Sequence, residues 1–160
     1  MNDILGTVYC WFESLFGKNI GEYLWGYDCN TQTYDGKNLF NTIGLITIGV
    51  SLLWVLIYYY AINHTRFSQW WHWMIILLVS GIINFFIAYG WTINDFLNGA
   101  IGDCLMYTRD EEGHITSQLI YKNDCWLFGL SNFFVSILFF IVFSFMFKWW
   151  SRNCKHSPFI

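Results

Sequence analysis

Five cysteines are the residues of this chain best suited to covalent chemistry: Cys10, Cys29, Cys104, Cys125 and Cys154. The first four lie in the two stretches that hold all 11 acidic residues, and Cys154 stands apart in a basic tail. A structural zinc site wants tight C-x2-C spacing, which none of them has. The chemistry they suit is disulfide formation in an oxidising compartment. Four cysteines allow three connectivities, and sequence does not choose among them. The local pairs Cys104–Cys125 and Cys10–Cys29 are favoured here; one alternative joins the N-terminal segment to the second polar stretch, and another leaves buried free thiols that simply pack. Closing the loop from Cys104 to Cys125 contributes roughly 3 kcal/mol in the chain-entropy model.

A second group is polar but neutral, and it sits inside long apolar runs: Thr47, Ser51, Ser80, Asn84, Ser131, Asn132 and Ser136. Side chains of this kind join helices by hydrogen bonds in lipid, each contributing about 0.6 kcal/mol. They also suit the lining of a pore. Asn84 and Asn132 are expected to meet, within one chain or between chains. Gly44, Gly49, Gly81 and Gly129 permit close backbone approach.

Other chemistry is thinly represented. The acids Asp110, Glu111 and Glu112 before Gly113 read as a solvated turn, without the spacing of an EF-hand. His72 lies among tryptophans, and His64 is eight positions away, too far for a metal pair on one helix. No P-loop, dinucleotide fingerprint, H-E-x-x-H or G-x-S-x-G motif occurs. No basic stripe suits nucleic acid. The expectation is a protein that is not an enzyme and needs no cofactor or metal.

The elements that must position these residues follow from hydropathy. The chain is 56% apolar, 22% aromatic and only 12% charged, about half the charge of a soluble domain. From Asn38 to Asn94 the one charged residue is Arg66, and from Trp126 to Phe147 there is none. Three spans result, at 39–62, 70–93 and 126–147, each long enough for a hydrocarbon core of about 30 Å. Backbone groups in lipid must be satisfied within a segment, so these are helices. Tyr58, Tyr59, Tyr60, Trp70, Trp71, Trp73, Trp91, Trp126, Trp149 and Trp150 mark the span ends, as interfacial belts do.

The loop 63–69 carries Arg66 and no acid, and the tail 148–160 carries Lys148, Arg152 and Lys155 and no acid. The positive-inside rule makes both cytoplasmic. The segments 1–38 and 94–125 then face outward. Within the latter, "LMYTR" and "HITSQLIY" read as strands around a "DEEG" turn. The sequon at Asn63 falls in a cytoplasmic loop.

In the N-terminal segment, Ile4, Leu5, Val8, Phe12, Leu15 and Phe16 share one helical face. That pattern suits an amphipathic helix lying in the membrane interface, with a break at Gly17–Lys18 and a weaker continuation carrying Trp25 and Tyr27. A fourth span would bury Glu13, Lys18 and Glu22, at up to ~3 kcal/mol each. No cleavable signal is expected, since Glu13 interrupts the apolar region.

The fold class expected is therefore an all-α integral membrane protein. It has three transmembrane helices, an N-terminal amphipathic interfacial helix and a small disulfide-stapled hairpin loop outside. The expected setting is a bacterial inner membrane, with the N-terminus outside and the C-terminus cytoplasmic. The expected partners are the lipid bilayer, further copies of the chain, or other membrane or cytoplasmic subunits, with Lys148, Trp149, Trp150, Arg152 and Lys155 as the inner contact. The expected role is a subunit that anchors or scaffolds an envelope assembly. The alternatives are an oligomeric pore or membrane-disrupting effector, and an immunity protein against a toxin.

Overall fold

A computed structural model of the 160-residue chain describes residues 4–62 and 69–150. The sequon at Asn63, with His64, Arg66, Arg152, Cys154 and Lys155, lies outside the described residues. The chain is mostly helical. Three short helices come first, α1 (Ile4–Cys10), α2 (Glu13–Phe16) and α3 (Lys18–Trp25), then the long α4 (Leu39–Leu56). A π-helical segment, Ile57–Ile62, continues α4. The long α5 (Trp70–Leu97) follows, then α6 (Asp103–Met106), β1 (Tyr107–Arg109), β2 (Ile115–Gln118) and the long α7 (Lys122–Phe147), closed by a 3-10 turn at Lys148–Trp150. Among the described residues, three helices are long and apolar enough to cross a membrane: Leu39–Tyr60, Trp70–Leu97 and Lys122–Phe147.

The ends of these helices are written in local chemistry. Asn38 caps α4, its Oδ1 accepting the Asn41 N–H at 3.0 Å. Asp124 stands in the first turn of α7, and its carboxylate accepts the Tyr121 N–H at 2.8 Å, the returning half of a capping box. This cap starts α7 four residues before the apolar run, at Lys122 instead of Trp126, and so places Cys125 inside the helix. At the other end of the same region, α5 runs past Ile93 to Leu97. It stops at Gly99 (φ +69°), where the Ala100 N–H returns to the Asp95 carbonyl at 3.0 Å in a Schellman pattern.

The chain divides into two compact units, one of residues 1–44 and 86–131, the other of residues 45–85 and 132–160. In the first, Tyr9, Phe16, Ile20 and Leu24 are buried. Tyr9 stacks on Phe40 at 5.2 Å, and Phe16 meets Phe128 edge-on at 5.4 Å. Of the expected amphipathic face, Phe16 is buried and Leu5, Val8 and Phe12 are half-buried. The N-terminal segment is also not one helix. After Cys10 the bonds tighten to the i−3 pattern, with Phe12 N–H to Tyr9 O at 2.9 Å, and Gly17 (φ +86°) turns the chain again. Of the expected face, Leu15 is exposed, whereas Ile20 and Leu24 of α3 join the core.

The hairpin forms as its sequence suggests. β1 and β2 pair antiparallel, Tyr107 opposite Gln118 and Thr108 opposite Ser117, with a bulge before Arg109. Gly113 (φ +83°) sits in the turn, where its carbonyl accepts from Arg109 at 3.2 Å, and Arg109 also pairs with Asp103 at 3.1 Å.

In the second unit, Val55, Tyr58, Tyr59, Trp73, Leu77 and Phe140 make the apolar core. Tyr58 and Tyr59 are neighbours and both fully buried. A regular helix points neighbours about 100° apart. Here the wider π-helical turn begins one residue before them.

Candidate functional site

The neutral polar residues of the second unit come together in its interior. Thr47 and Ser51 on α4, Ser80 and Asn84 on α5, and Asn132 and Ser136 on α7 are all fully buried. Each pair is spaced i, i+4, so each helix presents two polar groups on one face a turn apart. Thr47 Oγ1 donates to Asn132 Oδ1 at 2.9 Å. Asn132 Nδ2 donates to the Asn84 carbonyl at 2.8 Å. Asn84 Nδ2 donates to Ser136 Oγ at 2.9 Å and to the Ser80 carbonyl at 3.0 Å. Ser51 and Ser136 hydroxyls lie 3.3 Å apart. Asn84 Oδ1 and Ser80 Oγ have no hydrogen-bond partner among the described residues.

The same seam continues to Ser144, which accepts from Trp73 Nε1 at 2.9 Å and Tyr59 OH at 3.3 Å. Ser144 escaped the sequence reading, although it lies eight residues, about two turns, beyond Ser136. Thr92, eight residues beyond Asn84, escaped it for the same reason, and it is buried in the first unit. Ser131 does not join the seam: its hydroxyl returns to the Leu127 carbonyl at 3.0 Å in the first unit. Among the glycines, Gly81 faces Phe133 so closely that a Cβ would stand 2.6 Å from the ring, whereas Gly49 faces open space.

Serine, threonine and asparagine do not titrate near neutral pH. This seam can fix helix register and hold polar atoms, and it offers no acid or base.

In the first unit the cysteines pair otherwise than expected. Cys29 bonds to Cys104, 75 residues away in sequence, and Cys10 and Cys125 are free thiols. The favoured local pairs, Cys104–Cys125 and Cys10–Cys29, are thereby overturned. Cys125 is unable to staple the loop because α7 starts at Lys122 and turns this side chain into the core, where it is fully buried. The staple ties the 94–121 stretch to the N-terminal segment instead of closing its own base. Gly102 makes room for it, since a Cβ there would stand 2.5 Å from Cys29 Sγ.

Beside the disulfide lies a cavity of about 680 Å³. One wall is α3 and the loop that follows it. The other is the end of α5 and the segment leading to α6. Gly26 (φ +85°) ends α3 in a Schellman turn, with the Tyr27 N–H on the Glu22 carbonyl at 3.1 Å and the Gly26 N–H on the Tyr23 carbonyl at 2.9 Å. Gly36 then crosses Gly26 with a 2.9 Å backbone hydrogen bond. A Cβ on Gly36 would stand 2.6 Å from the Gly26 carbonyl oxygen, so the crossing needs glycine.

Tyr23, on α3, donates to Asp95 Oδ2 on α5 at 2.7 Å. Burial, then the hydrogen bond to Asp95 and its negative charge, hold the Tyr23 hydroxyl above the ordinary tyrosine range. It therefore stays a donor, aimed at the carboxylate. Neither Tyr23 nor Asp95 stood out in the sequence. Asp95 is the first charged residue after the apolar run that ends at Ile93, and the extension of α5 to Leu97 places it on a helix.

At the C-terminal end of α7, Lys148 Nζ lies 5.4 Å from the Phe145 ring and 5.3 Å from the Trp149 ring, and Trp149 is exposed. Trp150 ends the 3-10 turn.

Comparisons with family models, with curated proteins and with solved structures give no match to this chain.

Proposed function

We propose that this chain is a multi-pass membrane subunit without catalytic activity, which anchors or scaffolds a larger envelope assembly by association with further copies or other subunits. Its setting in this reading is a bacterial inner membrane, with the disulfide-tied segments outside and the C-terminal tail in the cytoplasm. The observation that carries the reading is an inside-out distribution of polarity. Within the second unit the polar seam is fully buried, while Leu45, Leu53, Ile75, Ile82, Leu138 and Val142 are exposed. Water would disfavour so many exposed large apolar side chains, and lipid does not. All six seam side chains are fully buried within the one chain, which favours a packed scaffold over a pore lined by Asn84 and Asn132.

The sidedness draws support from the disulfide, since such bonds persist outside the cytoplasm and Cys29 and Cys104 both fall in the segments assigned outward. Lys148, between Phe145 and Trp149, suits the opposite interface.

The test is purification of the tagged chain from membranes in mild detergent without reductant, with mass analysis of what accompanies it. A stoichiometric foreign subunit that is lost on deleting Trp149–Ile160 supports the anchor. A homogeneous self-oligomer that conducts ions in planar bilayers, with conductance changed by leucine at Asn84 and Asn132, would overturn it.

A further inference from the structure

The cavity beside the disulfide is not needed by an anchor. Its volume of about 680 Å³ lies in the range of small-molecule sites, roughly 300–1,000 Å³. Its lining combines three kinds of group. Tyr23, Tyr27 and Trp91 supply aromatic surface, Asp28, Asp95 and Asp103 supply carboxylates, and Lys37 supplies one cation.

The acids are not equivalent. Asp103 is already paired with Arg109 at 3.1 Å. Asp28 Oδ1 accepts the Asn30 N–H at 2.9 Å and so shapes its own loop. Asp95 is held from behind by the Tyr23 hydroxyl on Oδ2, and its Oδ1 has no hydrogen-bond partner among the described residues. Asp95 is thus an oriented anion on a cavity wall that also carries Trp91, one helical turn earlier on α5. A carboxylate next to aromatic rings is the surround that attracts an organic ammonium. Lys37 brings opposite charge to the same cavity, next to the Asn38 cap of α4. The lining thus offers an oriented carboxylate in Asp95 and a solvent-exposed cation in Lys37, complementary to the two ends of a zwitterion.

We propose that this cavity binds a zwitterionic ligand of headgroup size, its ammonium against Asp95 and the aromatic surface and its anionic group against Lys37. Phosphoethanolamine has this chemistry, and it could arrive as the headgroup of a bilayer lipid or as a free solute. The inference does not depend on the anchor reading, which stands or falls on its own partner measurement.

The experiment uses the full chain, purified in detergent without reductant so that the disulfide is intact. Isothermal titration is run with phosphoethanolamine, ethanolamine and inorganic phosphate. The expected result is saturable binding of phosphoethanolamine, with ethanolamine and phosphate each at least about tenfold weaker. Asp95→Asn, which keeps an acceptor for Tyr23, weakens phosphoethanolamine about tenfold. Lys37→Gln weakens it as well while leaving ethanolamine unchanged. Native mass spectrometry from vesicles of phosphatidylethanolamine and phosphatidylglycerol separates the sources. Selective retention of phosphatidylethanolamine assigns the lipid headgroup, and solute binding without retention assigns a free zwitterion. The proposal is overturned if neither phosphoethanolamine nor the lipid binds, or if both variants, with unchanged circular dichroism, bind like the parent.

Discussion

Thr47 and Asn132 are joined side chain to side chain at 2.9 Å, and their 85-residue separation recurs at Ser51–Ser136 and Tyr59–Ser144. A constant offset over three rungs means that the chain from α4 into its π-helical continuation runs parallel to α7 in one register. On α5 the order reverses, with Trp73 meeting Ser144 and Asn84 meeting Ser136, so this part of α5 runs antiparallel to both. Those directions are what three successive crossings of one layer require.

Asn132 is the member of the seam whose loss should be felt most. Leucine there removes the acceptor for Thr47 and the donor to the Asn84 carbonyl, leaving both buried without them. Asn132→Leu should cost about 1–2 kcal/mol, somewhat above the average for polar contacts between membrane helices. Asn84→Leu should cost less, because it also removes Oδ1, which has no partner among the described residues. Adding Thr47→Val to Asn132→Leu should recover part of the loss. Unfolding in graded sodium dodecyl sulfate measures all three. Equal costs for the two asparagines would contradict this pattern of bonds.

The disulfide makes a sharper prediction. Linking residues 75 apart in sequence contributes about 4 kcal/mol in the chain-entropy model. Cys29→Ser or Cys104→Ser should therefore loosen the first unit, with early protease cleavage in 26–38 or 98–121. Peptide mapping without reduction should recover the Cys29–Cys104 cross-link. Alkylation of the native protein should label Cys10 well before Cys125, which is fully buried. A Cys104–Cys125 peptide in that map would refute the assigned pairing.

How much of this was legible in the sequence depends on the range of the signal. The three long helices were, because twenty apolar residues in a row admit little else. The hairpin was, because Gly113 and the β-rich flanks act locally. The seam was visible as a list of residues but not as a constellation. The i, i+4 spacing of Thr47–Ser51, Ser80–Asn84 and Asn132–Ser136 was in the sequence, yet which helix faces which is a tertiary fact. The disulfide is hidden from the sequence for a related reason. Proximity in sequence favoured Cys125, but one cap at Asp124 drew it into a helix. The Tyr23–Asp95 contact spans 72 residues and carries no periodic trace at all.

The Gly26–Gly36 crossing sets a contrast within one protein. Gly36→Ala puts a methyl 2.6 Å from a backbone oxygen, where nothing can swing aside. A cost of about 2–3 kcal/mol is expected, typical of overpacking. Gly113→Ala meets only the left-handed backbone penalty, with nothing within 4 Å, and should cost about 1–2 kcal/mol. Thermal unfolding of the two variants should rank them in that order.

Tyr23 should mark the alkaline stability of the fold. Its hydroxyl is held above the ordinary value of 10.0 in the folded chain, so the folded state keeps a proton that the unfolded state releases. The resulting stability is fully present below about pH 10 and is lost as pH rises from there through the folded value. Tyr23→Phe should flatten the decline of stability above pH 10 relative to the parent. Asp95→Asn should lower the Tyr23 transition toward the ordinary range, read from tyrosinate absorbance after subtracting the Tyr23→Phe variant. A parent and a Phe variant with identical alkaline profiles would show that this hydrogen bond does not form in solution.

The membrane reading is exposed to one inexpensive test, because water and lipid rank surface charges oppositely. Val142 is 53% exposed and Leu45 is 62% exposed. On a soluble protein, aspartate or lysine at such positions changes stability by no more than about 0.5 kcal/mol. On a helix facing lipid, the same charges near the span centre cost about 2.5–3.5 kcal/mol. Val142→Asp lies nineteen residues past Asn123, toward the far end of α7, where a charge can reach the interface. Phe134→Asp lies near the middle of Lys122–Phe147, and Phe134 is likewise exposed. The order of damage should therefore be Phe134→Asp above Val142→Asp, scored by the fraction of chain that resists alkaline extraction from membranes. Both variants behaving like the parent, with the parent itself released by alkali, would mean that the apolar faces are covered by protein and not by lipid.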